Sequence, residues 1–304
     1  MSLRKNRAEG RRLTARTFLE PALYLLPFLI GLIIFVVYPF INVLLISVKE
    51  DYNVMSGTFS GVGFQNYSDV VSDPNFLNGL KNTFLYVIFV VPIATVLSIL
   101  IATMLNSSIH LKGLFQTCYF LPMVTSITAV GLVWKWLFNY DYGIINYFLS
   151  LFGVDAINWL NNPAYNLPAL IIYGIWSMIP FTTILLLAGF QNVNPQYYTA
   201  ARVDGAKGTR IFFRITLPLL APTIGLTLIV NMISASKVFS ELFPLFNGKP
   251  GAAYSLYTVV YYLYDAFFVQ WKLGRAAASA VILFVIVLVL TLIQLFIQRK
   301  WKNY

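Results

Sequence analysis

At 304 residues, with 59% hydrophobic and only 11% charged, the chain falls far below the roughly 25% charged share of soluble domains, which excludes an ordinary water-soluble globule. Its net charge of +10 would suit nucleic acid, but the cations flank long apolar blocks, which points to a lipid bilayer and no nucleic-acid partner. A single cysteine, Cys118, and a single histidine, His110, exclude a disulfide framework and a structural zinc site within the chain.

The chain opens on a basic tail, residues 1–20, with Arg4, Lys5, Arg7, Arg11, Arg12 and Arg16. The apolar block from Ala22 to Val48 is longer than the roughly 7 to 15 residues of a signal-peptide core and no small-x-small cleavage site follows, so it reads as an uncleaved first span. Five further blocks follow, Leu80 to Leu105, Leu114 to Phe138, Leu167 to Phe190, Leu217 to Phe246 and Ala276 to Ile297. At about 1.5 Å per residue even the shortest reaches roughly 30 Å, the thickness of the hydrocarbon core. The pattern predicts an all-α membrane protein with six transmembrane helices. Its organisation is a tail (1–20), a first helix with an outer loop (21–78), and a core of five helices (79–304).

Lysine and arginine set the orientation, because short cytoplasmic loops keep positive charge. With the N-terminus inside, the tail, Lys112, Arg202, Lys207, Arg210, Arg214, Arg299, Lys300 and Lys302 place fourteen cations on the cytoplasmic side. The outer side holds five, Lys49, Lys81, Lys249, Lys272 and Arg275, so both termini are expected in the cytoplasm. Prolines inside or at the ends of spans, among them Pro92, Pro122, Pro180 and Pro222, fit either ordinary kinks or a bundle around a pathway. Lys135 between Trp134 and Trp136 reads as an interfacial anchor, and Lys237 with Glu241, one helical turn apart, as an ion pair near the outer surface.

The stretch 194–216 is too long for a plain connection, since helix pairs usually need about 2 to 8 residues. Pro195 can open a helix, Gly205 and Gly208 interrupt it, and Ile211, Phe212 and Ile215 alternate with Arg210 and Arg214. This predicts a short helix, a glycine turn and a second short helix on the cytoplasmic face. Such an element either docks into a groove of a soluble partner or lies on the lipid headgroups.

The run Thr199-Ala200-Ala201-Arg202-Val203-Asp204-Gly205-Ala206, continuing to Ile215-Thr216-Leu217-Pro218 and Pro222, resembles the EAA signature of binding-protein-dependent ABC importer permeases. The spacing E-A-A-x-x-x-G, nine residues, then I-x-L-P matches throughout, with Thr199 in place of the leading Glu, so a contact through that carboxylate does not carry over. Gly63-Phe64-Gln65-Asn66-Tyr67, Phe120-Leu121-Pro122 and the ending from Ala276 to Gln294 are similar to the sugar branch, including oligosaccharide (maltose) and glycerol-3-phosphate permeases.

The resemblance implies a type I importer in the bacterial cytoplasmic membrane. Its parts would be a second, homologous permease, two ATPase subunits using ATP and Mg, and an extracytoplasmic solute-binding protein. Thr199, Ala200, Ala201, Asp204, Gly205, Ala206, Arg210, Phe212 and Phe213 would then be the element seated on the ATPase. The chain has no G-x-x-x-x-G-K-[ST] phosphate loop, so no cofactor and no catalytic or metal residue is expected in it.

For a carbohydrate path, Tyr173, Trp176, Ser177, Thr182 and Thr183 offer an aromatic platform and hydroxyls, and Asn231 and Ser234 lie on the outer side of mid-membrane. Each of these polar groups also fits a plain interhelical hydrogen bond. The alternatives to a carbohydrate importer are a permease for glycerol-3-phosphate or another non-sugar solute, and a stand-alone secondary transporter. A membrane enzyme would need clustered nucleophiles, paired acids or metal ligands, and no such cluster stands in the sequence.

Overall fold

The computed structural model describes residues 15–106 and 112–301. Arg4, Lys5, Arg7, Arg11, Arg12, His110 and Lys302 lie outside the described residues, as do the side chains of Arg16, Lys112, Cys118 and Lys300. Among the described residues, five helices are long and apolar enough to cross a membrane.

The first span, α1, covers Leu23–Ser47 with a π turn at Ile33–Val37. A two-stranded antiparallel hairpin follows, β1 (Lys49–Glu50) against β2 (Gly61–Val62), and then the short helix α2 (Gln65–Ser72). The second span, α3 (Pro74–Asn106), starts earlier than the apolar block suggests. Its opening turns carry Asn75, Asn78, Lys81 and Asn82, which read as loop by composition, yet Asp73 starts the helix by accepting from Asn75 N at 2.9 Å.

The third block is two helices rather than one, α4 (Lys112–Val124) and α5 (Ile127–Leu137). Ser126 is extended at ψ 132° between them, and Pro122, which cannot donate a backbone hydrogen bond, weakens the turn just before the break. After α6 (Ile144–Ser150), the next long span, α7 (Pro163–Gln191), is capped by Asn162, whose side chain accepts from Ala164 N. The helix α8 (Gln196–Val203) leads to α9, which runs over Gly208–Ala235 with a π turn at Phe212–Thr216.

The block expected to continue to Phe246 ends as a helix at Ala235; Leu242–Phe246 is a separate short helix, α10. The predicted pair of Lys237 and Glu241 is therefore not formed. With the chain out of the helix between them, Glu241 instead accepts from Phe239 N at 3.1 Å. The chain closes with α11 (Val259–Tyr264) and the last span, α12 (Leu273–Trp301).

Packing centres on α3 against α7, with α9 and α11 around them. The main core joins Val70, Phe76, Val90, Leu170, Tyr173, Leu245, Leu256 and Val259, at the end of the bundle that carries α2 and α11. A small cluster of Ala102, Leu186, Phe190 and Leu220 holds the other end, where α8 projects. The connection after α10 is sewn onto α3 by polar groups: Asn82 Nδ2 donates to Ser255 O and Tyr257 O at 2.9 Å, and Thr83 Oγ1 accepts from Val259 N at 3.1 Å.

Candidate functional site

The segment 194–216 opens on the predicted helix and glycine turn. The expected second short helix is not separate: it is the first turns of α9, helical without a break into the span. Asn194 caps α8 by accepting from Gln196 N at 2.9 Å. At the other end the backbone closes a Schellman motif: Gly205 N donates to Arg202 O and Ala206 N to Ala201 O. Gly205 sits at φ +72°, the left-handed region in which a side chain is strained. Lys207 then returns to extended backbone and α9 begins.

Ala201 is buried and Tyr198 half-buried on the inward face, with Ala206 and Phe212 partly covered. Thr199, Ala200, Arg202, Asp204, Gly205 and Arg210 are exposed. Two apolar side chains face outward among them, Val203 at 83% and Phe213 at 61% exposed, and the rings of Phe212 and Phe213 meet edge-on at 5.0 Å. The backbone of Asp204 caps α8, and its carboxylate makes no ion pair among the described residues. The element is a short helix joined to α9 through a hydrogen-bonded glycine turn, with a mixed apolar and basic face left uncovered.

In the bundle interior, Tyr173 and Trp176 pack around Trp134, at centroid distances of 5.9 and 5.4 Å. Thr182 and Asn231 come together: Asn231 Nδ2 donates to Thr182 Oγ1 at 2.9 Å, tying α7 to α9 with both side chains buried. Thr183 is fully buried one residue on, whereas Ser177 and Ser234 are exposed. The candidates thus separate into an aromatic cluster, a buried interhelical tie and two exposed serines.

At the opposite end from α8, the Gly63-x-x-Asn66-Tyr67 element acts as a clamp. Asn66 Nδ2 donates to Ser47 O and Lys49 O at 3.1 and 2.8 Å, and Tyr67 Oη pairs with Ser47 Oγ at 2.7 Å, so α2 holds the end of α1. Gly63 lies against the Glu50 carboxylate, which a Cβ there would displace. Asp69 joins this region to α12 through an ion pair with Arg275 at 2.6 Å. Tyr262 donates to Asp73 at 3.0 Å; burial, and then the neighbouring carboxylate, hold its hydroxyl above the ordinary phenol range, so it stays a donor.

Neither this clamp nor the Lys135 contact with Asn247, at 2.6 Å, was legible beforehand as a set of partners. The G-x-x-N-Y spacing was the available signal for the first. For the second there was none, since its residues are far apart in sequence.

Long apolar helices in a bundle, with an exposed helix–turn–helix at one end, define a multi-pass membrane protein. The chain belongs to the family of binding-protein-dependent transport system inner membrane components, whose model matches residues 76–303. It is 31% identical over 277 residues to the trehalose/maltose transport system permease protein MalF of Thermococcus litoralis, covering 91% of this chain and 92% of that one. It is 33% identical over 287 residues to the sn-glycerol-3-phosphate transport system permease protein UgpA of Agrobacterium fabrum, covering 93% and 96%. Among solved structures it resembles a bacterial alginate ABC transporter in complex with an alginate pentasaccharide-bound periplasmic protein, with a TM-score of 0.79, 28% identity, and 94% and 95% of the two chains covered.

Proposed function

We propose that the chain is the permease subunit forming half of the path by which an ATP-driven importer carries a carbohydrate, an oligosaccharide in particular, across the cytoplasmic membrane. The observation that carries this reading is the uncovered lever of α8 and the start of α9, continuous with a membrane span. A short helix held by a closed glycine turn four residues from the start of α9 can pass displacement at its tip into the bundle. The distribution of Lys and Arg supports placing that lever, and both termini, on the cytoplasmic side.

In this assembly ATP and Mg belong to two ATPase subunits, on which Thr199, Ala200, Ala201, Asp204, Gly205, Ala206, Arg210, Phe212 and Phe213 bear. A second, homologous permease completes the path, and an extracytoplasmic solute-binding protein delivers the cargo. The alginate transporter with its bound periplasmic protein, and the trehalose/maltose permease, support the choice of cargo and partner. Tyr173, Trp176, Ser177, Thr182, Thr183, Asn231 and Ser234 are the path candidates. Of these, Ser177 and Ser234 are exposed residues. A second reading, glycerol-3-phosphate or a related non-sugar solute as cargo, is favoured by the similarity to the glycerol-3-phosphate permease.

The test is Gly205→Trp in the assembled transporter, with ATP-dependent uptake and ATPase co-purification measured together. Uptake should fall to background. Normal uptake by a normally assembled complex would remove the lever from the mechanism.

A further inference from the structure

Resting on the orientation and the assembly proposed above, we propose that a cleft beside α5 and α10 is the seat for an acidic side chain of the solute-binding protein. The cleft has a volume of about 370 Å³ and is lined by residues at the end of α5, in the segment before α7 and in the connection after α10. Its walls carry Lys135 and Lys249, the amides of Asn158, Asn161 and Asn247, and one carboxylate, Asp141. Two ammonium groups against one carboxylate leave it positive. Outside the cleft the outer segments carry six carboxylates, Glu50, Asp51, Asp69, Asp73, Asp155 and Asp265, against four cations, Lys49, Lys81, Lys272 and Arg275, and are mildly negative.

A positive hollow in a mildly negative face is a registering feature. Approach of a partner carboxylate is rewarded there and opposed around it, which steers the encounter and fixes its alignment. One half of the seat is held ready. Lys135 Nζ donates to Asn247 Oδ1 at 2.6 Å, and Asn247 is fixed in the left-handed conformation, at φ +57°, where α10 ends. An ammonium group has three donors, so this contact leaves Lys135 able to take a second acceptor. Lys249, exposed and two residues along the chain from Asn247, lines the same cleft and supplies its second ammonium group. The size sets the kind of contact: a helix is about 10–12 Å across with its side chains, too wide for the hollow, whereas a projecting side chain or loop tip enters it.

The test uses the whole transporter in lipid nanodiscs, carrying the natural chain, K249E or N161W, titrated with the solute-binding protein that co-purifies with it. Docking affinity and ATP hydrolysis are read together. K249E should weaken docking about tenfold and remove most of its dependence on salt. N161W, which fills the hollow without changing charge, should weaken docking comparably, and both variants should keep the hydrolysis rate measured without binding protein. Unchanged docking in both variants overturns the proposal, as does unchanged docking with reduced uptake, which would assign the cleft to cargo. Failure of the natural chain to assemble with an ATPase or a binding protein would instead defeat the importer reading itself, and the two failures are told apart before any variant is made.

Discussion

Single residues here act mainly by holding elements at fixed angles. Asn66 satisfies two carbonyls where α1 stops, and no other side chain in the hairpin supplies those donors. Asn66→Ala should lower stability by about 1–3 kcal/mol, because buried acceptors lose their partner. Thermal unfolding in detergent measures this, and limited proteolysis should show earlier cleavage between α1 and α2. The tie between Thr182 and Asn231 separates two roles that the sequence left together. If it is only an interhelical bond, Asn231→Ala should cost about 0.6–1.7 kcal/mol, and the double variant with Thr182→Val should cost no more than the single one. In that case the apparent affinity for cargo stays unchanged in these variants, whereas a weakened affinity would assign Asn231 to the path.

Among the elements, α8 and the first turns of α9 differ from the spans in setting exposed apolar side chains, Val203 and Phe213, among exposed charged ones, Arg202, Asp204, Arg210 and Arg214. Val203 and Phe213 project from a segment whose own core contact is little more than Ala201 and the partly covered Tyr198. Replacing both with Asp should leave the melting temperature of the isolated chain within a degree or two, since exposed substitutions usually stay within about 0.5 kcal/mol. The same double variant should lose most of its ATPase in co-purification. Gly205→Val tests the turn separately: the left-handed backbone costs a β-branched residue about 1–2 kcal/mol, although its Cβ would meet no neighbour. The break between α4 and α5 is the other unusual element. It leaves Thr125 and Ser126 exposed in the middle of an apolar stretch, where lipid would leave backbone groups unpaired, so that face belongs against protein or a wet path.

For the molecule as a whole, the outward surface is overwhelmingly apolar. The first span has none of its most apolar window buried, and it meets the bundle mainly along α12, where Phe40 and Phe284 pack edge-on at 5.2 Å. Such a helix is stable only with lipid or another subunit around it. Orientation can be read on the intact cell: in a Cys118→Ser background, Met55→Cys should react with a membrane-impermeant maleimide and Val203→Cys should not. Both sites are more than four-fifths exposed, so access alone does not separate them. Reconstituted by itself, the chain should pass no solute down a gradient, which distinguishes a subunit from a transporter that works alone.

Hydrophobic blocks of bilayer length made five of the spans legible from composition, because lipid imposes one secondary structure on any apolar stretch that must satisfy its own backbone. The lever was legible too, since Pro195, Gly205 and the I-x-L-P run fix local backbone geometry by residue type alone. What the same sequence concealed were the places where local preference and tertiary contact disagree. Composition carried the fifth block past Ala235 into α10 and merged α4 with α5, because apolar residues look alike in a span and in a folded re-entry. The clamp around Asn66, the sewing of Asn82 to the connection after α10, and the meeting of Lys135 with Asn247 join residues between 17 and 175 positions apart. Only packing decides such partners: a side-chain amide or ammonium group has many acceptors within reach in an unfolded chain, and the fold selects one by bringing its carbonyl within hydrogen-bonding distance and excluding water from the rest.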